Sequence, residues 1–374
     1  MRSSCGSDSV MEAGYSIRCS GACTGSQRVA DRDTGGMVTI ERFDPLSAGE
    51  GGIAAYHAVF AASRETDRPG EPVLPLGELA GRLTRPLPGM GEAAQWVAYR
   101  GDELVAFAEV HFLDAENRGI GLTDVVVHPA ARRSGIGTAL LRAVLPELRA
   151  RGRRSVEGWQ VVAGSAGEPW AEALGFRPVR TIVRQVLVVA EAERSRWDVA
   201  VPPGYRVVRW KGAAPDGLLE SYARARAAIH DAPLGDSGFR WPEWTPARVR
   251  AAEAEARSQG LDQRIVAAVH EGTGEVAGFT EVCVHPRRPD WGYQRDTAVL
   301  AAHRGHGLGR CVKAHMIRWL VAERPGLRRI STTTGAENAH MIRVNRELGL
   351  RSLPALIAVR QDVDALLSPG RRRA

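Results

Sequence analysis

The chain repeats itself, and that narrows its possible folds more than any other feature. Several residue types recur 172 positions apart without a gap, over a stretch of about thirty residues. Phe107, Glu109 and Val110 match Phe279, Glu281 and Val282; Asp124 matches Asp296, Val127 matches Val299, Arg132 matches Arg304, Gly135 matches Gly307 and Gly137 matches Gly309. A second landmark follows in each half, Leu174-Gly175-Phe176 and Leu348-Gly349-Leu350. A chain of 374 residues at roughly 150 residues per domain agrees with two copies of one architecture.

The charged stretch from Glu191 and the Val201-Pro-Pro-Gly204 turn put the seam between the copies. The expected division is a disordered Ser/Gly-rich extension over 1–36, a first domain over 37–192, a linker over 193–200, a second domain over 201–368 and a basic tail over 369–374, with Met37 as a candidate start.

Periodicity sets the elements. In the first half, Val38 to Phe43 alternates as a strand, Gly52 to Ser63 reads as a helix, and Gln95 to Tyr99 with Glu103 to Phe112 reads as a hairpin. Leu122 to His128 is a valine-rich buried strand, Gly135 to Ala150 an amphipathic helix and Ser155 to Val162 a strand; the short helix Gly167 to Leu174 precedes a last strand pair. The second half repeats the order, with strands near Tyr205 to Trp210, Arg264 to His270, Val276 to Val284 and Thr297 to Leu300, and helices over Gly307 to Ala322 and Glu337 to Leu348. Each half is an α/β unit, a mixed sheet with helices on its faces.

Charge and cysteine content exclude several classes. The net charge of +7 is carried almost wholly by scattered arginines, with Lys211 and Lys313 the only lysines. Basic residues do not interleave with aromatics, so nucleic acid is not an expected partner. No apolar run reaches the roughly 18 residues of a membrane helix, and a soluble, cytoplasmic protein is expected. The five cysteines fit neither a disulfide framework nor a zinc spacing, so no metal is expected.

Chemistry gathers where strand meets helix. Asp124-Val-Val-Val-His-Pro-Ala-Ala-Arg-Arg-Ser-Gly-Ile-Gly-Thr138 runs from a strand through a turn into a helix that begins at glycines. Such a start offers unpartnered N–H groups, a positive dipole end and close main-chain approach, which together suit a phosphate. Arg132 and Arg133 add cationic donors. Asp296 to Arg310 has the same order with one more glycine. No Gly-Lys-Ser/Thr follows either turn, so neither is a Walker loop.

These two segments, with Asn338 to Gly349, resemble the GCN5-related N-acetyltransferases, in an actinobacterial type that carries His303-Arg-Gly-His306. The resemblance spans nearly the whole chain after Met37. It implies two tandem acyl-coenzyme A N-acyltransferase domains, each a mixed, mostly antiparallel sheet flanked by helices. It also implies acetyl-coenzyme A, or another acyl-coenzyme A, as co-substrate, and a small-molecule amine as acceptor, in a monomer or homodimer. In the first half the implied cofactor contacts are Val125, Val126 and Val127 on the strand, then Arg132, Arg133, Ser134, Gly135, Ile136, Gly137 and Thr138 in the turn. In the second half they are Thr297, Ala298, Val299, Arg304, Gly305, His306, Gly307, Leu308, Gly309, Arg310 and Asn338.

Acetyl transfer to an alkyl amine of pKa about 10.4 requires removal of a proton, which at pH 7 costs roughly 4.6 kcal/mol. The acids that recur in both halves, Glu109 and Glu281, Asp124 and Asp296, are candidate bases. The family's asparagine and acidic tyrosine are replaced by Gly164 and Ala171 in the first half, whereas the second keeps Asn338 and has Asn345 at the tyrosine's place. On that ground the second half ranks as the better catalyst, with Asn345 a candidate beside Asp296 and Glu281. The loop Ile229 to Trp244 mixes acids with aromatics and suits either a cationic acceptor or simple packing by its tryptophans. A tandem that binds acyl-coenzyme A without transferring it is the alternative from another class.

Overall fold

The computed structural model of the chain describes residues 26–30, 37–85, 90–231 and 235–368. The basic tail, Cys5, Cys19, Cys23 and most of the N-terminal extension lie outside them. Within that extension, however, Gln27–Ala30 forms β1 and pairs antiparallel with β2 (Met37–Phe43).

The first half continues with α1 (Gly49–Asp67), α2 (Leu76–Thr84), β3 (Glu92–Arg100), β4 (Glu103–Phe112) and β5 (Ile120–Val127). After these come α3 (Ile136–Ala150), β6 (Ser155–Val162), α4 (Gly167–Ala173) and β7 (Arg177–Val188). The second half has β8 (Tyr205–Lys211), α5 (Asp216–Ala227), α6 (Pro246–Ser258), β9 (Asp262–His270), β10 (Val276–Val284) and β11 (Trp291–Val299). It closes with α7 (Leu308–Glu323), β12 (Arg329–Gly335), α8 (Ala339–Glu347), β13 (Arg351–Asp362) and α9 (Val363–Leu367).

Helices α3 and α7 form because apolar residues recur on one face. Leu140, Leu141, Val144, Leu145 and Leu148 of α3 are buried against β2 to β5, and Val312, Met316, Ile317 and Leu320 of α7 fill the matching core. Strand β10 is buried at every position, as a strand covered on both faces must be.

The strands join in one sheet of order β1-β2-β3-β4-β5-β6-β13-β7-β12-β11-β10-β9-β8. The sequence leads one to expect a last strand pair within each half. The structure has one long terminal strand per half, and the two are exchanged: β13 inserts beside β6 of the first half, and β7 lies beside β12 of the second. A strand of twelve residues has edges enough for two ladders, and alternation alone does not say whose edge it joins. The seam is packed as well, since Trp197 is buried in the second core and its indole N–H donates to Leu348 O (3.1 Å).

Segments of the second half pack on the first. Arg287 donates to Gly77 O (2.6 Å). Residues 237–240 also lie on the first half, where Ser237 Oγ and Gly238 N–H donate to Glu157 and Asn117 bonds both polar groups of the Arg240 main chain.

Candidate active site

In each half the parallel ladder between the fourth strand and its neighbour is short. The β5–β6 pairing stops at Leu122↔Glu157, and the β11–β12 pairing stops at Tyr293↔Ser331. Beyond those points Val125 to Val127 and Thr297 to Val299 diverge from the neighbouring strand, opening a slot that ends at the glycine turn. The glycine turn is written into the sequence of both halves and the valine-rich strand into that of the first.

The turn geometry is the same twice. Gly135 (φ 89°) and Gly307 (φ 75°) cap α3 and α7 in the left-handed region that an L side chain rarely adopts. Among the described residues, the N–H groups of Gly135, Ile136, Gly137 and Thr138 have no acceptor, nor have those of Gly307, Leu308, Gly309 and Arg310. A Cβ built on Gly137 would rest in ordinary contact with Val127 Cγ2 (3.4 Å) and the Trp170 ring (3.7 Å), so it is the left-handed Gly135, and not packing at Gly137, that demands glycine in the first turn. Four unpartnered amides at a helix start fit a diphosphate. The first turn also holds a strained residue, because Arg133 sits at φ 69° where the second half has Gly305 at φ 84°.

Other turn residues stabilise the loop itself. Arg132 Nε donates to Val127 O while its terminal nitrogens bond Asp67 and Ser63 of α1. Arg304 likewise reaches back to Val299 O and pairs with Asp231. Ser134 Oγ donates to Ala131 O (2.6 Å), Thr138 Oγ accepts from the Trp170 indole (3.1 Å), and Ile136 and Leu308 are core residues. His306 bonds main-chain oxygens of its own turn, and His303 pairs with the Tyr205 hydroxyl (2.9 Å). Thr297 and Thr280 share a hydrogen bond at 2.7 Å, Ala298 is buried, and Arg310 lies 3.6 Å from Glu347. The Asn338 side chain caps α8 by accepting from Met341 N–H. Asn345 has no exposed surface and donates to Gln185 Oε1 (2.8 Å) on β7, so it ties the exchanged strand to α8.

The acids behave differently in the two halves. In the first, a cavity of about 510 Å³ runs from the glycine turn to Glu109 and Asp124. Burial, then the charge of Glu109, pushes the Asp124 carboxyl up to about 6, against the opposing pull of Arg64, Arg68 and His111. Glu109 is shared with His111, Nε2 to Oε1 at 3.3 Å. Tyr56 is stacked on Phe107 with ring centres 3.9 Å apart, and its hydroxyl is buried without a partner. In the second half Arg226 occupies the equivalent ground. Only 5% exposed, its guanidinium bonds Glu281 (3.1 Å) and Asp296 (3.2 Å) and lies 3.7 Å from the centre of the Trp244 ring. Burial alone would raise Glu281, but Arg226 and Arg295 outweigh it and hold it below the usual value, while burial leaves Asp296 above its own.

Sequence reasoning missed Tyr56, Phe60, Arg64 and Arg68, all of which line the first cavity. Their signal was the four-residue spacing that sets them on one face of α1 and its C-terminal cap. Cys311, read as an apolar filler, is buried and its thiol is pushed up to about 11 by burial, which suits an unreactive residue.

A splayed strand and a glycine turn at a helix start, arranged twice in tandem, with an acid-lined cavity beside the first, define a recognisable class. The family model described as the acetyltransferase (GNAT) family matches residues 64–176 and 228–350, and the chain belongs to that family. Among particular relatives, the chain is 31% identical over 201 residues to the mycothiol acetyltransferase of Mycobacterium avium, a match over 53% of this chain and 59% of that one. It therefore spans less than two thirds of that relative's length. To the mycothiol acetyltransferase of Saccharomonospora viridis it is 28% identical over 317 residues, covering 80% of this chain and 92% of the relative. A solved tandem GNAT protein from the clavulanic acid biosynthesis pathway shares the fold at a TM-score of 0.71 and 22% identity, over 89% of this chain and 99% of that one. A GCN5-related N-acetyltransferase from Sphaerobacter thermophilus does so at a TM-score of 0.66 and 19% identity, over 89% of this chain and 96% of its own.

Proposed function

We propose that the protein transfers an acetyl group from acetyl-coenzyme A to the amine of a small molecule, and that the first half performs the transfer. The observation that carries this reading is the cavity of about 510 Å³ joining the free amides of Gly135 to Thr138 to the Asp124 carboxylate. It reverses the ranking that Asn338 and Asn345 supported from sequence, because those two side chains are spent on a helix cap and on Gln185.

The four amides hold the diphosphate, and the open edge of Val125 to Val127 takes the pantetheine arm. Acetyl-coenzyme A supplies the activated thioester. Asp124 accepts the proton from the acceptor's ammonium group, directly or through water, and frees its lone pair for attack. A carboxylate raised to about 6 is a stronger base than an ordinary aspartate yet is still mostly ionised at pH 7. Tyr56, whose hydroxyl lacks a partner, is placed to donate to charge that develops on the oxygen or sulfur side of the reacting carbonyl. The second half keeps the turn but closes its acid pair with Arg226, which supports a binding or structural role for that half.

The test is release of free coenzyme A thiol by the full-length chain across an amine library. Saturable release with at least one amine supports transfer; saturable acetyl-coenzyme A binding with no release for any amine leaves only the binding role.

A further inference from the structure

We propose that the acceptor carries an anionic group, a carboxylate or phosphonate-like one, in addition to its amine, and that Arg64 and Arg68 hold that anion while Asp124 faces the amine. This rests on the reading of the first half as the acetyl-transfer site, and it names the chemical class of its acceptor.

The cations around the first cavity are not equally engaged. Arg132 is spent on Asp67, Arg184 on Glu71, Arg82 on Glu78, and Glu109 is shared with His111. Arg64 and Arg68 line the cavity, and among the described residues neither has an ion pair with a carboxylate. The Arg64 guanidinium lies 4.9 Å from the centre of the Phe60 ring, and Arg68 donates to Gln160 Oε1 (3.0 Å) across the slot. Arg68 is only 6% exposed. Burial first, then the neighbouring cations Arg64 and Arg184, lower its proton affinity to about 9. Two guanidinium groups facing one cavity with no carboxylate bonded to either are costly, and a bound anion reduces that cost through charge-assisted hydrogen bonds.

The second half shows what the same kind of cation does when it has partners. Arg226 is satisfied by Glu281 and Asp296 and stacked on Trp244, leaving nothing for a ligand. Arg295 adds to that compensation by acting on both acids, whereas in the first half Arg64 and Arg68 line the cavity with no carboxylate bonded to either among the described residues. The diphosphate already has the amides of Gly135 to Thr138, whereas Arg64 and Arg68 both act on Asp124, at the acceptor end.

The experiment compares matched acceptors of equal length: ω-aminocarboxylates, ω-aminophosphonates, ω-amino amides and n-alkylamines. Coenzyme A thiol release is measured with the full-length chain and with Arg64→Ala and Arg64→Lys. Expected is kcat/KM at least about tenfold higher for the anionic members, a preference lost through KM in Arg64→Ala and largely kept in Arg64→Lys, with KM for acetyl-coenzyme A unchanged in both. The carboxylate and phosphonate arms tell which anion fits. Equal turnover of neutral and anionic acceptors overturns the proposal, as does an Arg64→Ala loss that falls on acetyl-coenzyme A itself. If no amine is turned over, the transfer reading fails separately, and the anion site is then read by melting temperature with coenzyme A present. Stabilisation by aminocarboxylates in wild type but not in Arg64→Ala supports the site, and no stabilisation in either refutes it.

Discussion

The two halves carry the same turn and the same pair of acids, and they differ in how the acids are answered. In the first half Asp124 faces open space, with Arg64 and Arg68 nearby but not bonded to it. In the second, Arg226 bonds both Glu281 and Asp296. One arginine placed within hydrogen-bond reach converts a proton acceptor into a buried ion pair. Duplicated backbone geometry therefore preserves the glycine turn more readily than it preserves the surroundings of the acids beside it.

The comparison breaks most sharply at the acids. Asp124→Asn is expected to lower kcat/KM for thiol release by about 10²- to 10⁴-fold, the range for loss of a general base. Asp296→Asn should stay close to wild type; equal losses would erase the distinction between the halves. Wild-type kcat/KM should rise with pH through a limb near 6, the value to which burial and Glu109 push Asp124, with Arg64, Arg68 and His111 the opposing groups that face it.

Stability reverses the ranking. Arg226→Ala leaves Glu281 and Asp296 buried without their counter-ion and should cost about 3–5 kcal/mol in urea unfolding. Arg64→Ala, which removes a cation with no carboxylate partner, should cost less than about 1 kcal/mol. A similar cost for both would mean that Arg64 is a structural ion-pair member after all.

A further effect follows from the sign of the Asp124 shift. Its pKa is raised from 3.8 to about 6, so the fold favours the protonated form. The cost of ionising it builds between those values and is fully present above the upper one. Asp124→Asn should therefore melt above wild type at pH 7 and lose that advantage near pH 3.5, as measured by thermal unfolding. The last effect concerns the turn. Arg133 holds a left-handed conformation that its counterpart Gly305 adopts freely, so Arg133→Gly should stabilise the chain by about 1 kcal/mol while weakening acetyl-coenzyme A binding modestly in calorimetry.

How much of this could be read from the residues follows from what each feature depends on. The glycine turns were legible because left-handed backbone and close approach select glycine locally. The strand exchange was not, since β7 and β13 alternate in the same way whichever neighbour they join. The arginine stripe of α1 lies before Phe107, where the repeat begins, and had no partner in the second half to mark it. The filling of the second site by Arg226 depends on a helix packing over two strands, which no short motif records. The exchange also means that neither half is complete alone, so the halves are best compared by point variants in the intact chain.

The most direct test is a crystal structure of the full-length chain with acetyl-coenzyme A bound. The account predicts the diphosphate on the amides of Gly135 to Thr138 and the thioester carbonyl beside Asp124. A thioester found only at the second turn, with Arg226 displaced from Asp296 and the first cavity empty, would contradict it.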